Sequence, residues 1–215
     1  GSATMSLGSS TIQNSYATGV VTGDASNVGG FIGYLRQQSS SPTTLNNNYA
    51  TGSVTGVGDS VGGLAGLVLN LSSSSVMISG NHYDNQSGSV TGDYNVGGLI
   101  GNIQGNQLVT TEKNYAKTKV IGTGIDGDIG GLVGYSGNSK LNIDQSYFEG
   151  TIDNNGAGLT GGLVGEMYST SWIRDSYAKA TFLNLGSTPS GVGGLIGKIN
   201  YDANQEDPFI INSYS

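Results

Sequence analysis

The stretch Tyr16-Ala17-Thr18-Gly19-Val20-Val21-Thr22-Gly23, followed by Val28-Gly29-Gly30-Phe31-Ile32-Gly33, decides the fold, because both halves return along the chain. The tyrosine mark recurs at Tyr49, Tyr83, Tyr115, Tyr147, Tyr177 and Tyr214, at spacings of 33, 34, 32, 32, 30 and 37 residues. The hexad recurs at Val61, Val96, Ile129, Thr160 and Val192, at spacings of 33, 35, 33, 31 and 32. Two independent marks on one period indicate a stacked repeat array, in which a unit too small to bury a face alone buries it against its neighbours.

Each unit reads as three short strands, as in Ile12 to Ala17, Gly19 to Gly23 and Val28 to Leu35. No window keeps a 3.6-residue apolar period, so helices are not expected. The expectation is an all-β, right-handed parallel β-solenoid (β-helix) of about six to seven rungs, with ~32 residues and three short strands per rung. Parallel stacking makes an object roughly 30 Å long. Residues 1–10 read as a cloning scar and N-terminal lead-in, and residues 11–215 as one solenoid domain.

Composition narrows the class. Eight Lys plus Arg against fifteen Asp plus Glu give a net charge of −7, which disfavours a nucleic-acid partner. With 11% charged residues the chain is unlike highly charged disordered sequences. Its 38 glycines come with three prolines and no collagen period, and they sit inside apolar runs, where close backbone approach requires them. The absence of cysteine excludes disulfides, thiol nucleophiles and thiolate metal sites. No run reaches the ~18 apolar residues of a membrane span, and no signal peptide is visible. The chain reads as a piece of a longer secreted protein, with neighbouring domains of the parent among its partners.

The hexads Val28 to Gly33, Val96 to Gly101 and Ile129 to Gly134, with the runs Tyr16 to Gly23 and Tyr49 to Gly56, resemble the bacterial GLUG-motif repeat. The resemblance covers nearly the whole chain. The fourth to sixth copies depart from its Thr-Gly part, carrying Lys117 and Lys119, then Glu149, then Lys179. It implies repeats of secreted, virulence-associated bacterial cell-surface proteins that serve cell adhesion: haemagglutinin-like adhesins and the surface-attached regions of IgA-cleaving metalloproteases. It brings no catalytic residues, because the motif is structural.

Alternation assigns faces. Ala17-Gly19-Val21, Ala50-Gly52-Val54, Ala116 with Val120, Phe148 with Ile152 and Ala178 with Phe182 face the core. Thr18, Thr22, Thr51, Thr55, Lys117, Glu149 and Lys179 face water, the last three as one in-register charge row. Glu112, Asp144 and Arg174 form another. Phe31, Leu64, Leu99, Leu132, Leu163 and Leu195 complete the expected core. The hexad is apolar on its second parity too (Val28 and Ile32, Val96 and Ile100, Ile129 and Val133, Val192 and Ile196). That stripe is either covered by the segment after each hexad or left as an exposed wall for a partner. Asn14, Asn47, Asn81 and Asn212 are expected to form an amide ladder at a corner.

Chemistry is thin. His82 is the only histidine, so Ser-His-Asp and multi-histidine metal sites are excluded, and it reads as a polar substitution where other copies carry Ser15, Asn48, Asn114 or Ser146. No acidic or basic groove can be assembled for a polysaccharide-acting β-helix enzyme. No cofactor is expected, with one qualification: Asp24, Asp59, Asp93, Asp126, Asp128 and Asp153 precede hexads and are the candidate Ca²⁺ ligands. Trp172, Tyr34, Arg36 and Tyr135 are the candidate ligand contacts, with the post-hexad loops Leu35 to Thr44, Leu67 to Val76 and Gly186 to Ser190. The functional expectation is a non-catalytic extracellular module, a stiff stalk touching a host or matrix protein or glycan. The alternatives are a purely structural spacer of a surface protease, a calcium-binding repeat module, and a polysaccharide-acting enzyme.

Overall fold

A computed structural model describes the strand Ser2–Met5 and residues 9–24, 26–137, 139–156, 158–168, 170–186, 189–201 and 207–215. All regular structure among these residues is β. Every strand pairs in parallel with its counterparts one repeat away, so the chain is a β-solenoid.

Each rung passes through four sheets, one more than the three strands the sequence pattern suggests. In the second rung the order is Thr43–Asn46 (sheet I), Tyr49–Ala50 with Val54–Gly56 (sheet II), Ser60–Gly62 (sheet III) and Ala65–Asn70 (sheet IV). Ser2–Met5 extends sheet IV by pairing with Tyr34–Gln37, so part of the lead-in belongs to the solenoid.

The extra sheet comes from the hexad, which is two strands and a turn. Val61-Gly62 closes sheet III, Gly63-Leu64 turns, and Ala65-Gly66 opens sheet IV. All three hexad glycines are sterically fixed. A Cβ on Gly62 would strike the Ala65 carbonyl, one on Gly66 would lie 2.7 Å from the Val28 nitrogen, and one on Gly63 would enter the Tyr83 ring. Sheets III and IV therefore approach backbone to backbone, which only glycine permits.

This geometry removes the puzzle of the second apolar stripe. Val28, Ile32, Val61, Val96, Ile100, Ile129 and Val133 are all buried, so no exposed wall exists along these rungs. The valines of sheet III face the end of sheet II: a Cβ on Gly56 would sit 2.8 Å from Val61 Cγ2 and 2.9 Å from Val28 Cγ2. Their cover is thus the Val-Thr-Gly strand end rather than the segment after the hexad. Only in the last rung does Val192 emerge, with 42% exposure.

Of the expected core, Val54, Leu64, Leu99, Val120, Leu132, Ile152 and Leu163 are buried. Val21, Phe31, Phe182 and Leu195 pack against the core but stay half-buried, because they lie in the first or last rungs with a neighbour on one side only. One core row runs Ala17, Ala50, Tyr83, Ala116, Phe148 and Ala178, and alternates in size from Ala50 onward. The large rings occupy space left by small neighbours and by hexad glycines, the interdigitation that close packing requires.

The corner between sheets I and II is built by two adjacent rows. The first has positive φ in every rung: Asn14, Asn47, Gly80, Lys113, Gln145, Asp175 and Asn212, all between 45° and 66°. Asn and Gly tolerate this conformation best. The second row is Ser15, Asn48, Asn81, Asn114, Ser146, Ser176 and Ser213, where each backbone N–H donates to the side-chain oxygen one rung on, at 2.7–3.3 Å. Of the four asparagines expected to form an amide ladder, only Asn81 belongs to this one; Asn14, Asn47 and Asn212 form the positive-φ turn beside it.

Candidate functional site

That corner aims the next residue of every rung outward, and the result is a single row of rings. Tyr16, Tyr49, His82, Tyr115, Tyr147, Tyr177 and Tyr214 stack with centroids 4.7–5.3 Å apart and planes within 9° of parallel. In-register pairing forces this spacing, since identical positions recur at the strand separation. His82 is therefore a member of the aromatic row, paired with Tyr49 and Tyr115, and does not occupy the Ser15/Asn48 position. Tyr83 drops into the core, where its hydroxyl donates to the Gly52 carbonyl at 2.8 Å. Residues 86–88 form a bulge that restores the register by Val90.

Stacked rings cover each other's faces, so the row presents ring edges to solvent. The terminal rings, Tyr16 and Tyr214, are each 65% exposed. Beside the rings runs the charge row, in the register expected from sequence: Lys117, Glu149 and Lys179 on successive rungs. Lys117 Nζ lies 3.1 Å from Glu149 Oε2 and beside the Tyr115 and Tyr147 rings, 5.7 and 5.5 Å from their centroids. The Tyr177 hydroxyl donates to Glu149 Oε1 at 3.1 Å. Partial burial, then the Glu149 carboxylate, push the Tyr177 phenol up to about 12. The hydrogen bond from Lys117 holds Glu149 below the usual carboxylate range, and Glu149 in turn raises Lys117. One column further, Lys119 pairs with Asp153 at 2.7 Å. Between these columns lies a cavity of about 340 Å³ lined by Gln86, Lys117, Thr118, Lys119, Glu149, Gly150 and Thr151.

The sequence-derived contact candidates fall on other faces. Tyr34 and Tyr135 share an outward row of sheet IV with Leu67, Asn102, Glu166 and Lys198. Tyr135 meets Tyr168 edge to face at 6.4 Å, and Arg36 stands one column on, beside Leu69. Trp172 is an outward strand residue of sheet I, stacked on Phe209 at 6.1 Å with the Arg174 guanidinium 4.9 Å from its centroid. Arg174 also grips Asp144 through two bonds of 3.1 and 2.6 Å, as the expected charge row requires.

The six aspartates do not converge. Asp153 lies in the strand Tyr147–Asn154 and is held by Lys119 and Asn184, Asp93 accepts from Thr123, and Asp24, Asp59 and Asp126 are exposed. Among the described residues no three acidic or histidine side chains are placed to hold one metal ion. Asp128 stands beside a second carboxyl, that of Glu166 in the next rung. Of the loops named from sequence, residues 187 and 188 fall outside the described residues.

No family model and no solved structure matches the chain. Among curated proteins it is similar to Halomucin from Haloquadratum walsbyi, with 35% identity over 114 residues, 49% of this chain. The matched part spans 1% of that protein's length.

Proposed function

We propose that the chain is a non-catalytic, extracellular segment of a surface protein, a stiff solenoid whose contact face is the aromatic side of sheet II. The observation that carries this reading is the unbroken row of seven stacked rings crossing all rungs, flanked by charged and hydroxyl columns in register. Structural packing alone needs apolar rows inside the tube, and those are already supplied. An outward aromatic row instead offers a ring edge at every rung, with a phenol hydroxyl on six of them and the His82 imidazole on the third. Such a surface fits an extended polymer lying along the solenoid axis, and a linear glycan has the matching repeat of hydroxyl groups. The GLUG-repeat resemblance supports a surface-protein setting, as does the likeness to a protein that is a mucin by name.

A glycan array probed with the wild-type chain and with the double variant Tyr115→Ser/Tyr147→Ser tests this. The reading expects binding to linear glycans that the double variant loses while keeping its β-sheet circular dichroism. Equal binding by both proteins would place the contact on another face, and no binding by the wild type would leave the chain as a structural spacer.

A further inference from the structure

On the opposite side of the rung, the loop joining sheets II and III in the fourth repeat, residues 123–128, reaches the outer face of sheet IV. The Asp128 carbonyl accepts from the Val96 N–H at 3.0 Å, which ties the end of this loop to the rung below. Its carboxyl lies close to the Leu159 N–H and to the Glu166 carboxyl, which line the same cavity. Glu166 is 9% exposed; Lys198 Nζ stands 3.7 Å from its Oε1, and Asn200 donates to the same oxygen. The surrounding cavity of about 370 Å³ is completed by Asp126, Gly158, Leu159 and Ser190. The charged and titratable groups facing Asp128 are thus Glu166, Lys198 and Asp126, with the Tyr135 phenol next to them.

We propose that Asp128 keeps a proton where it faces the Glu166 carboxylate across this cavity, and so forms a pH-sensitive latch that pins loop 123–128 onto sheet IV. Two ionised carboxylates at this separation repel strongly where water is largely excluded. One half-exposed lysine offsets a single negative charge, so the second is neutralised by the proton. Burial first, then the charge of Glu166, raise Asp128 to about 7. A folded-state value above the unfolded one means the native state holds the proton more tightly. The stabilisation is complete below about pH 4 and is lost as pH rises through about 7. Above that range the loop carries an unmatched charge over sheet IV and lifts, opening the cavity.

The test is carboxyl-carbon NMR of the ¹³C-labelled chain, with amide exchange at Leu159 and Val96 corrected for intrinsic rates. The wild type should show one carboxyl titrating near neutrality. Leu159 protection should fall about tenfold between pH 5.5 and 8.5, following the deprotonated fraction. Asp128→Asn, which keeps a hydrogen-bond donor without the charge, should remove the neutral titration and hold Leu159 protected at both pH values. Glu166→Gln should move the step to lower pH without abolishing it, since the burial of Asp128 remains. The latch is overturned if every carboxyl in the wild type titrates below pH 5, or if Leu159 protection is equal at the two pH values.

Discussion

The His82 imidazole lies 4.7 Å from the Tyr115 ring with the planes 8° apart, the closest step in the seven-ring row. Burial lowers its pKa from the ordinary value of 6.5, while Asp84 partly restores it. A depressed folded-state value contributes stability that is present above about pH 6.5 and lost as pH falls through the folded pKa. This sign is opposite to that of Asp128. Replacing His82 with Tyr should remove the acid-side loss and add a phenol stack worth ~0.5–1.5 kcal/mol. Urea unfolding at pH 5 and pH 7.5 measures it: H82Y gains more over wild type at pH 5.

Ser136 occupies a core row whose other members are Leu35, Val68, Ile103, Met167 and Ile199. Its hydroxyl is buried and has no hydrogen-bond partner. Ser136→Ala should stabilise the chain by ~1 kcal/mol, and Ser136→Val by somewhat more if the extra methyl groups fit. A lower urea midpoint for both variants would show that the hydroxyl is satisfied.

Gly131 and Gly19 make a contrasting pair. A Cβ on Gly131 would collide with the Gly162 carbonyl and the Phe148 ring, whereas one on Gly19 would meet nothing within 4 Å. Gly131→Ala should cost ~3 kcal/mol or more, and Gly19→Ala should be within ~0.5 kcal/mol of wild type. Thermal unfolding of the two variants separates them.

Asn114 is a working rung of the corner ladder. It accepts from the Asn81 N–H at 2.7 Å and donates to the Ile78 carbonyl at 2.7 Å. Asn114→Ala leaves the Asn81 N–H buried without a partner and removes one of the bonds to the Ile78 carbonyl, and should cost ~1–3 kcal/mol. Asn114→Ser keeps an acceptor, as Ser146 does in the following rung, and should recover about half of that loss. Equal losses would mean that volume rather than hydrogen bonding sets the cost.

Much of this architecture was legible in the residues, and the exceptions have physical causes. The Ala-x-x-x-Val seam and the Lys117, Glu149, Lys179 row could be read because a strand period of two separates core from solvent without ambiguity. The hexad misled because a strand with both parities apolar looks the same as two short strands joined by a glycine turn. The third repeat misled because tyrosine identity aligned Tyr83 with Tyr115, whereas packing put Tyr83 among the alanines and left His82 to stack. Repeat offsets could have exposed it: taking Asn81 with Asn48 and Asn114 places His82 in the ring row. Asp128 and Glu166 were not paired from sequence, because they come from different positions of neighbouring repeats and meet only where a loop folds back. Tyr34, Arg36, Tyr135 and Trp172 were singled out as unusual residues, and the structure distributes them over sheets IV and I.

The register of the third rung tests the account most directly, since the continuity of the ring row depends on it. The chain has no cysteine, so introduced pairs report cleanly. The structure sets Asp84 opposite Lys117 on adjacent strands, whereas aligning the tyrosines would set Asn85 there. Oxidation of the Asp84→Cys/Lys117→Cys chain should give an intramolecular disulfide, and the Asn85→Cys/Lys117→Cys chain should remain reduced under the same conditions. Cross-linking of the second pair and not the first would place Tyr83 in the ring row and contradict the account.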